Sequence, residues 1–138
     1  WRLLAVACVL WLLWMTQRPQ EVVVADLAPL TELAAERGIS SHILISIAGN
    51  VVVFVPLGLA VTRSLALGRR LLPLVALIGG AGFGALVSAC IEVLQMLSPA
   101  RFPDWQDLAL NTLGALVGAI VAVLIGYFRQ RESEGRVS

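Results

Sequence analysis

Apolar residues along this chain come in four runs separated by polar links. The runs cover about Leu3 to Met15, Ile43 to Thr62, Leu71 to Leu97 and Leu108 to Phe128. A helix that crosses a bilayer needs about 20 residues, within a range of about 17–25. The second and fourth runs fit that length, and the third is long enough to cross at a tilt. The first is shorter, and its tryptophans Trp1, Trp11 and Trp14 suit the membrane interface. A signal sequence ending near Val23-Val24-Ala25 is the competing reading, weakened by the long polar gap between apolar core and cleavage site. The pattern predicts an all-α, polytopic membrane protein with four transmembrane helices, at about 3–16, 43–62, 71–97 and 106–128. These form one domain over 1–128, followed by a polar tail, RQRESEGRVS (129–138), that reads as disordered.

The link after the first run is acidic, with Glu21, Asp26, Glu32 and Glu36 against Arg18 and Arg37. Within it, DLAPLTELAAERG places Leu27, Leu30, Leu33 and Ala34 at helical spacing, and Gly38 supplies a stop. This predicts a short amphipathic helix in the first extracytoplasmic loop, lying on the membrane surface or capping the bundle. Arginine placement sets the orientation. Arg2, Arg63, Arg69, Arg70, Arg129, Arg131 and Arg136 fall on one side of the four-span scheme, and Arg18, Arg37 and Arg101 on the other. Basic residues favour the cytoplasmic side. Both termini and the Arg63–Arg70 link are therefore expected in the cytoplasm, with the chain in the cytoplasmic membrane.

Composition agrees. The chain is 59% apolar and 14% charged, with mean hydropathy +0.88, where soluble domains average about 45–50% and about 25%. A net charge of +1, with no dense basic patch, argues against a nucleic-acid partner. Cys8 and Cys90 sit inside apolar runs, with no disulfide pattern, and read as small buried residues. His42 is the only histidine, so the cysteines and histidine have no metal-ligand spacing.

Against this background the polar residues around the last two runs stand out. Ser88, Glu92 and Gln95 are spaced i, i+4, i+7 and share one helix face, continued by Gly84 and Gly80. On the fourth run, Asp107, Asn111, Gly114 and Gly118 form a matching stripe, which Asp104 extends upward. Glycines at this spacing let helices approach closely. A short link makes the two helices antiparallel neighbours, so their polar ends meet at one depth. Asn50 on the second run lies roughly 12 Å below His42, near the depth of Asn111. Pro56 then interrupts the hydrogen-bond ladder and Gly58 comes two residues later, which predicts a kink. Three helices thus aim polar groups at one outward-facing pocket, and ionisable groups within a membrane are functional candidates by default. Plainer roles stand beside this. Asp104 fits a helix N-cap and Asp107 a first-turn acid, Arg101 a surface ion pair, Asn50 and Asn111 interhelical hydrogen bonds, Ser88 packing and Trp105 an interface anchor.

Taken together, Asn50, Phe54, Pro56, Leu57 and Gly58, then Ser88, Glu92 and Gln95, then Arg101, Asp104, Asp107, Asn111, Gly114 and Gly118 resemble the VanZ-like family of bacterial membrane proteins over about Ser41 to Gly126. The resemblance implies a part in glycopeptide (teicoplanin) susceptibility and a distant kinship with enzymes that exchange or cleave lipid head groups.

Two mechanisms fit these residues. In the first, the pocket is an enzyme site for a membrane lipid or lipid-linked wall precursor. Arg101 holds phosphate oxygens, and Glu92 or Asp107 is the general base. Asn50, Ser88, Gln95 and Asn111 bind and orient the head group. No cofactor is required by the sequence, but Glu92, Asp104 and Asp107 are also candidate ligands for a divalent cation, Ca²⁺ or Mg²⁺. In the second, the same residues make a non-catalytic binding site. A transporter or channel is disfavoured, because the inner halves of the runs read as glycine and aliphatic, without polar lining.

Overall fold

In the computed structural model of the chain, residues 1–16, 20–38, 40, 47–69, 72–96 and 105–135 are described. All regular structure among them is helical. The helices are α1 (Arg2–Thr16), α2 (Gln20–Glu36), α3 (Val53–Arg69), α4 (Pro73–Met96) and α5 (Trp105–Gly135); a π-helical segment, Ile47–Val52, leads directly into α3. The start of the second expected span at 43–46, together with His42, Arg101 and Asp104, lies outside the described residues.

Three helices are long and apolar enough to cross a membrane: Gly49–Leu67, Pro73–Met96 and Trp105–Ser133. The expected first span is a shorter apolar helix of 15 residues, roughly 22 Å long against a hydrocarbon core of about 30 Å. It still joins the bundle. Leu12 is buried against Phe54, Leu57, Val87, Ile91 and Ala115, with Cys8, Val9 and Leu13 beside it. In the acidic link, α2 begins earlier than the leucine spacing indicated and ends before Gly38, which has φ 71°. Leu30 and Leu33 on this helix are exposed and Ala34 is buried.

The distribution of side chains is that of a membrane bundle. Ile78, Leu86 and Val93 on α4, and Leu113, Val117, Ile120 and Leu124 on α5, form exposed apolar stripes at the helical period. Thr62, Arg63, Ser88, Glu92 and Asn111 are buried. Cys90 is exposed on α4, contrary to the expectation of a buried cysteine. An apolar face toward lipid needs no protein neighbour, so an apolar run does not by itself imply burial.

The helices meet through glycine. A methyl group built on Gly58 of α3 falls on the backbone carbonyl of Ala115 on α5. Methyls built on Gly114 and Gly118 of α5 fall on the carbonyls of Val51 and Val55. One on Gly84 of α4 strikes the Ala115 side chain, and one on Gly80 strikes the Thr62 hydroxyl. The glycine stripe on α5 therefore serves the π-helical segment and α3 rather than α4, with Gly84 alone facing the α4–α5 seam. Gaps this narrow bring backbone Cα–H groups within reach of carbonyls, which adds a weak attraction.

Pro56 is the fourth residue of α3. Because the π-helical segment runs directly into α3, the proline withholds one N–H from a continuous helical ladder, just past the change from π to α geometry. Thr62 and Arg63, expected at the end of the second span and in the link after it, lie well inside α3. At the other end, α5 continues through the segment expected to be disordered as far as Gly135. There Arg131 stacks 4.9 Å from the Tyr127 ring centroid and Ser133 donates to the Gln130 carbonyl at 2.7 Å. Arg, Gln and Glu are also good helix formers.

Replacing Gly58 or Gly118 with alanine should lower stability by about 1–3 kcal/mol, the usual cost of overpacking. Gly82→Ala, where a methyl meets open space, should not. The midpoint of detergent-induced unfolding in mixed micelles distinguishes them.

Candidate functional site

The polar residues singled out in the sequence come together where the π-helical segment, α4 and α5 converge. Asn50 lies within the π-helical segment. Such segments are rare and recur at functional sites, because the extra residue per turn redirects a side chain. Asn50 Nδ2 donates to Asp107 Oδ1 at 2.7 Å. One turn along α5, Asn111 Nδ2 donates to Ser88 Oγ at 2.8 Å, and this pair is buried. Two hydrogen bonds thus tie three segments at one end of the bundle.

Glu92 stands one turn beyond Ser88 on the same face of α4 and is only 8% exposed. Gln95 comes next on that face, half-buried. Residues at i, i+4 and i+7 do share the inward face, as the spacing required. Asn111 Oδ1 is buried and accepts no hydrogen bond, so the bond to Ser88 leaves this amide with unused capacity. The arrangement offers a carboxylate held by an amide (Asp107), a second buried carboxylate (Glu92) and a buried amide oxygen (Asn111), all at one end of the bundle.

Arg101 and Asp104, the remaining members of the expected site, lie outside the described residues. Among the described residues no three of His, Cys, Asp and Glu come close enough to hold a metal ion. The cation set expected from the sequence includes Asp104, so it extends beyond those residues.

Sequence reasoning missed a second polar locus. Arg63 is buried at 6% exposure and Thr62 at 1%, toward the far end of α3 from Asn50. This contradicts the expectation that the inner halves of the helices hold only glycine and aliphatic side chains. The signal was present: Arg63 comes directly after the apolar run, and Gly126 appears on α5 where a methyl would come within 3.0 Å of Arg63 Nη1. Arginine at the end of an apolar run reads as a link residue because long basic side chains so often reach for the interface.

A double-mutant cycle on Ser88→Ala and Asn111→Ala measures what the buried pair contributes. The expected coupling is about 0.6 kcal/mol, with about 1.7 kcal/mol as an upper bound for such bonds between membrane helices. It is read from unfolding midpoints in detergent or bicelles. Zero coupling would mean that the two side chains act separately.

Comparison with known proteins places the chain. No curated protein and no solved structure shows significant similarity to it. The VanZ/LLP1 family profile matches residues 2–126, which takes in the first helix as well as the motif-bearing region. With a match over that much of its length, and with three helices able to cross a bilayer, the chain belongs to the VanZ/LLP1 family and is built as a multi-pass membrane protein.

Proposed function

We propose that the protein acts in the bacterial envelope on a lipid head group or lipid-linked wall precursor, at the polar end of the bundle, and thereby alters susceptibility to glycopeptides such as teicoplanin. The observation that carries this reading is the pair of hydrogen bonds, Asn50 to Asp107 and Asn111 to Ser88, that gathers polar side chains beside the buried Glu92. Burying such groups costs free energy unless they are used or satisfied. A structural purpose alone would be met by the glycine contacts, which already join the same helices.

In this reading the lipid's tails lie along the apolar helix faces and its phosphate enters at the polar end. Arg101, in the link between α4 and α5, holds the phosphate oxygens, where a guanidinium can bind in a bidentate manner. Glu92 is the general base that takes a proton from the attacking hydroxyl or water. Asp107 is the alternative base, oriented by Asn50. Asn111, Ser88 and Gln95 orient the polar atoms of the head group. Asp104 completes a set of three carboxylates with Glu92 and Asp107, suited to a hard divalent cation such as Ca²⁺ or Mg²⁺. The polar end faces the exterior, and both termini lie in the cytoplasm, as the arginine distribution indicates.

The test is a comparison of whole-envelope lipids and lipid-linked precursors by mass spectrometry, in cells expressing the protein or Glu92→Gln at equal membrane levels. Loss of a general base lowers a rate by about 10²–10⁴-fold, so a head-group product made by the wild type should nearly vanish with Glu92→Gln. Unchanged lipids in both strains, with glycopeptide susceptibility still shifted, would instead identify a non-catalytic binder. For orientation, a reporter fused after Ser138 should be active only if it folds in the cytoplasm; an exported reporter would invert the assignment.

A further inference from the structure

The second polar locus has its own cavity, separate from the site just proposed. A space of about 1020 Å³ opens between the later half of α3, the start of α4 and the end of α5. Arg63 and Thr62 form its polar floor. Arg129, Gln130 and Tyr127 line it from α5, and the remaining wall is largely aliphatic, including Ala76 and Ala122. Along the α3 axis, Arg63 is roughly 20 Å from Asn50, with the glycine contacts between them.

Arg63 is the unusual feature. Its guanidinium lies 5.7 Å from the centroid of the Trp1 ring, a geometry that attracts a cation electrostatically. Its Nε is buried without a hydrogen-bond partner, as is Thr62 Oγ1. Among the described residues no carboxylate pairs with Arg63 or with Arg129. Arginine stays charged at any physiological pH, and an uncompensated charge inside a protein costs several kcal/mol. The ring offsets only part of this. What the locus lacks is an anion.

The shape narrows the choice. Two guanidinium groups (Arg63 and Arg129), the hydroxyls of Thr62 and Ser133, the Gln130 amide and the Tyr127 phenol line a cavity whose other walls are apolar. A phosphate fits the donors, and acyl chains fit the apolar walls. The end of the bundle that carries Arg69, Arg129 and Arg131 is also where an anionic membrane surface would be drawn by charge.

We propose that this cavity is a binding site for the phosphate of an anionic phospholipid, with Arg63 as the principal ligand and Arg129 at its mouth. It does not depend on the reading of the Glu92 site. The bound lipid neutralises Arg63 and fills the space between α3 and α5, so the two helices are joined by lipid at one end and by glycine contacts toward the other.

The experiment uses the full chain in nanodiscs of phosphatidylcholine alone, and of phosphatidylcholine with phosphatidylglycerol. Native mass spectrometry after release counts retained phosphatidylglycerol, and thermal unfolding gives stability. The wild type should retain one phosphatidylglycerol and unfold at higher temperature when that lipid is present. Arg63→Met removes the charge and keeps a long, unbranched apolar side chain, and taking away an unpaired buried charge also removes its desolvation cost, so the variant is expected to fold. It should retain at least about tenfold less phosphatidylglycerol, since it loses the charge-assisted hydrogen bonds to the phosphate, and its unfolding temperature should no longer respond to the lipid. Gly82→Ala, where an added methyl meets open space, should retain the lipid as the wild type does. Equal retention by wild type and Arg63→Met would overturn the proposal. So would a wild type that ignores phosphatidylglycerol but is stabilised by inorganic phosphate in the phosphatidylcholine discs, which would assign the cavity to a free phosphate compound.

Discussion

The bundle depends on backbone meeting backbone. Gly58, Gly114 and Gly118 place no side chain at three points of the seam between α5 and the helical run through the π segment and α3, so carbonyls of Val51, Val55 and Ala115 lie where a β-carbon would otherwise be. In a bilayer the lipid tails are as apolar as leucine, and burying aliphatic surface gives little drive to associate. Close approach, with dense van der Waals contact, takes its place. Everything else is arranged around that seam. Leu57, Ala60, Ala115 and Ala119 are fully buried along it, α4 leans on it through Gly84, and α1 adds Leu12 to the same core. The polar side chains can then sit at defined depths because the helices cannot slide.

Much of this was legible in the sequence. The last three apolar runs announced three helices, and the spacings of Ser88, Glu92 and Gln95, and of Asp107 and Asn111, announced which faces turn inward. A 3.6-residue period fixes those relations locally, whatever the rest of the chain does. The convergence of Asn50 with Asp107 was legible for a coarser reason: depth below a membrane surface can be estimated from residue count alone. What could not be read was pairwise. The glycine stripes indicated close packing but not the partner, and the stripe on α5 serves α3. Composition likewise could not tell a lipid-facing cysteine from a buried one, since Cys90 sits in an apolar run either way.

Two differences between sequence and structure share one cause. Hydropathy ends the second run at Thr62, and the arginines end the fourth near Phe128. Both helices continue: α3 to Arg69 and α5 to Gly135. Hydropathy marks where a helix would leave lipid, not where its hydrogen bonds stop. A boundary drawn that way turns Arg63 into a link residue and hides a polar floor beneath the bundle. Between the polar groups at the two ends, Leu57, Ala60 and Ala115 are all at 0% exposure.

The π-helical segment Ile47–Val52 has a consequence for how such a site can change. A π turn holds one residue more than an α turn over nearly the same rise, so it is a place where chain length can vary by one without shifting the helix downstream. That helix, α3, has its register locked by the carbonyl of Val55 against Gly118 and by Gly58 against Ala115. Deleting one residue between Asn50 and α3 would turn Asn50 by about 100° around the helix axis and leave both of those contacts in place. The segment is thus a hinge in evolutionary rather than mechanical terms: the donor facing Asp107 can be exchanged by insertion or deletion, while the scaffold that carries it stays the same.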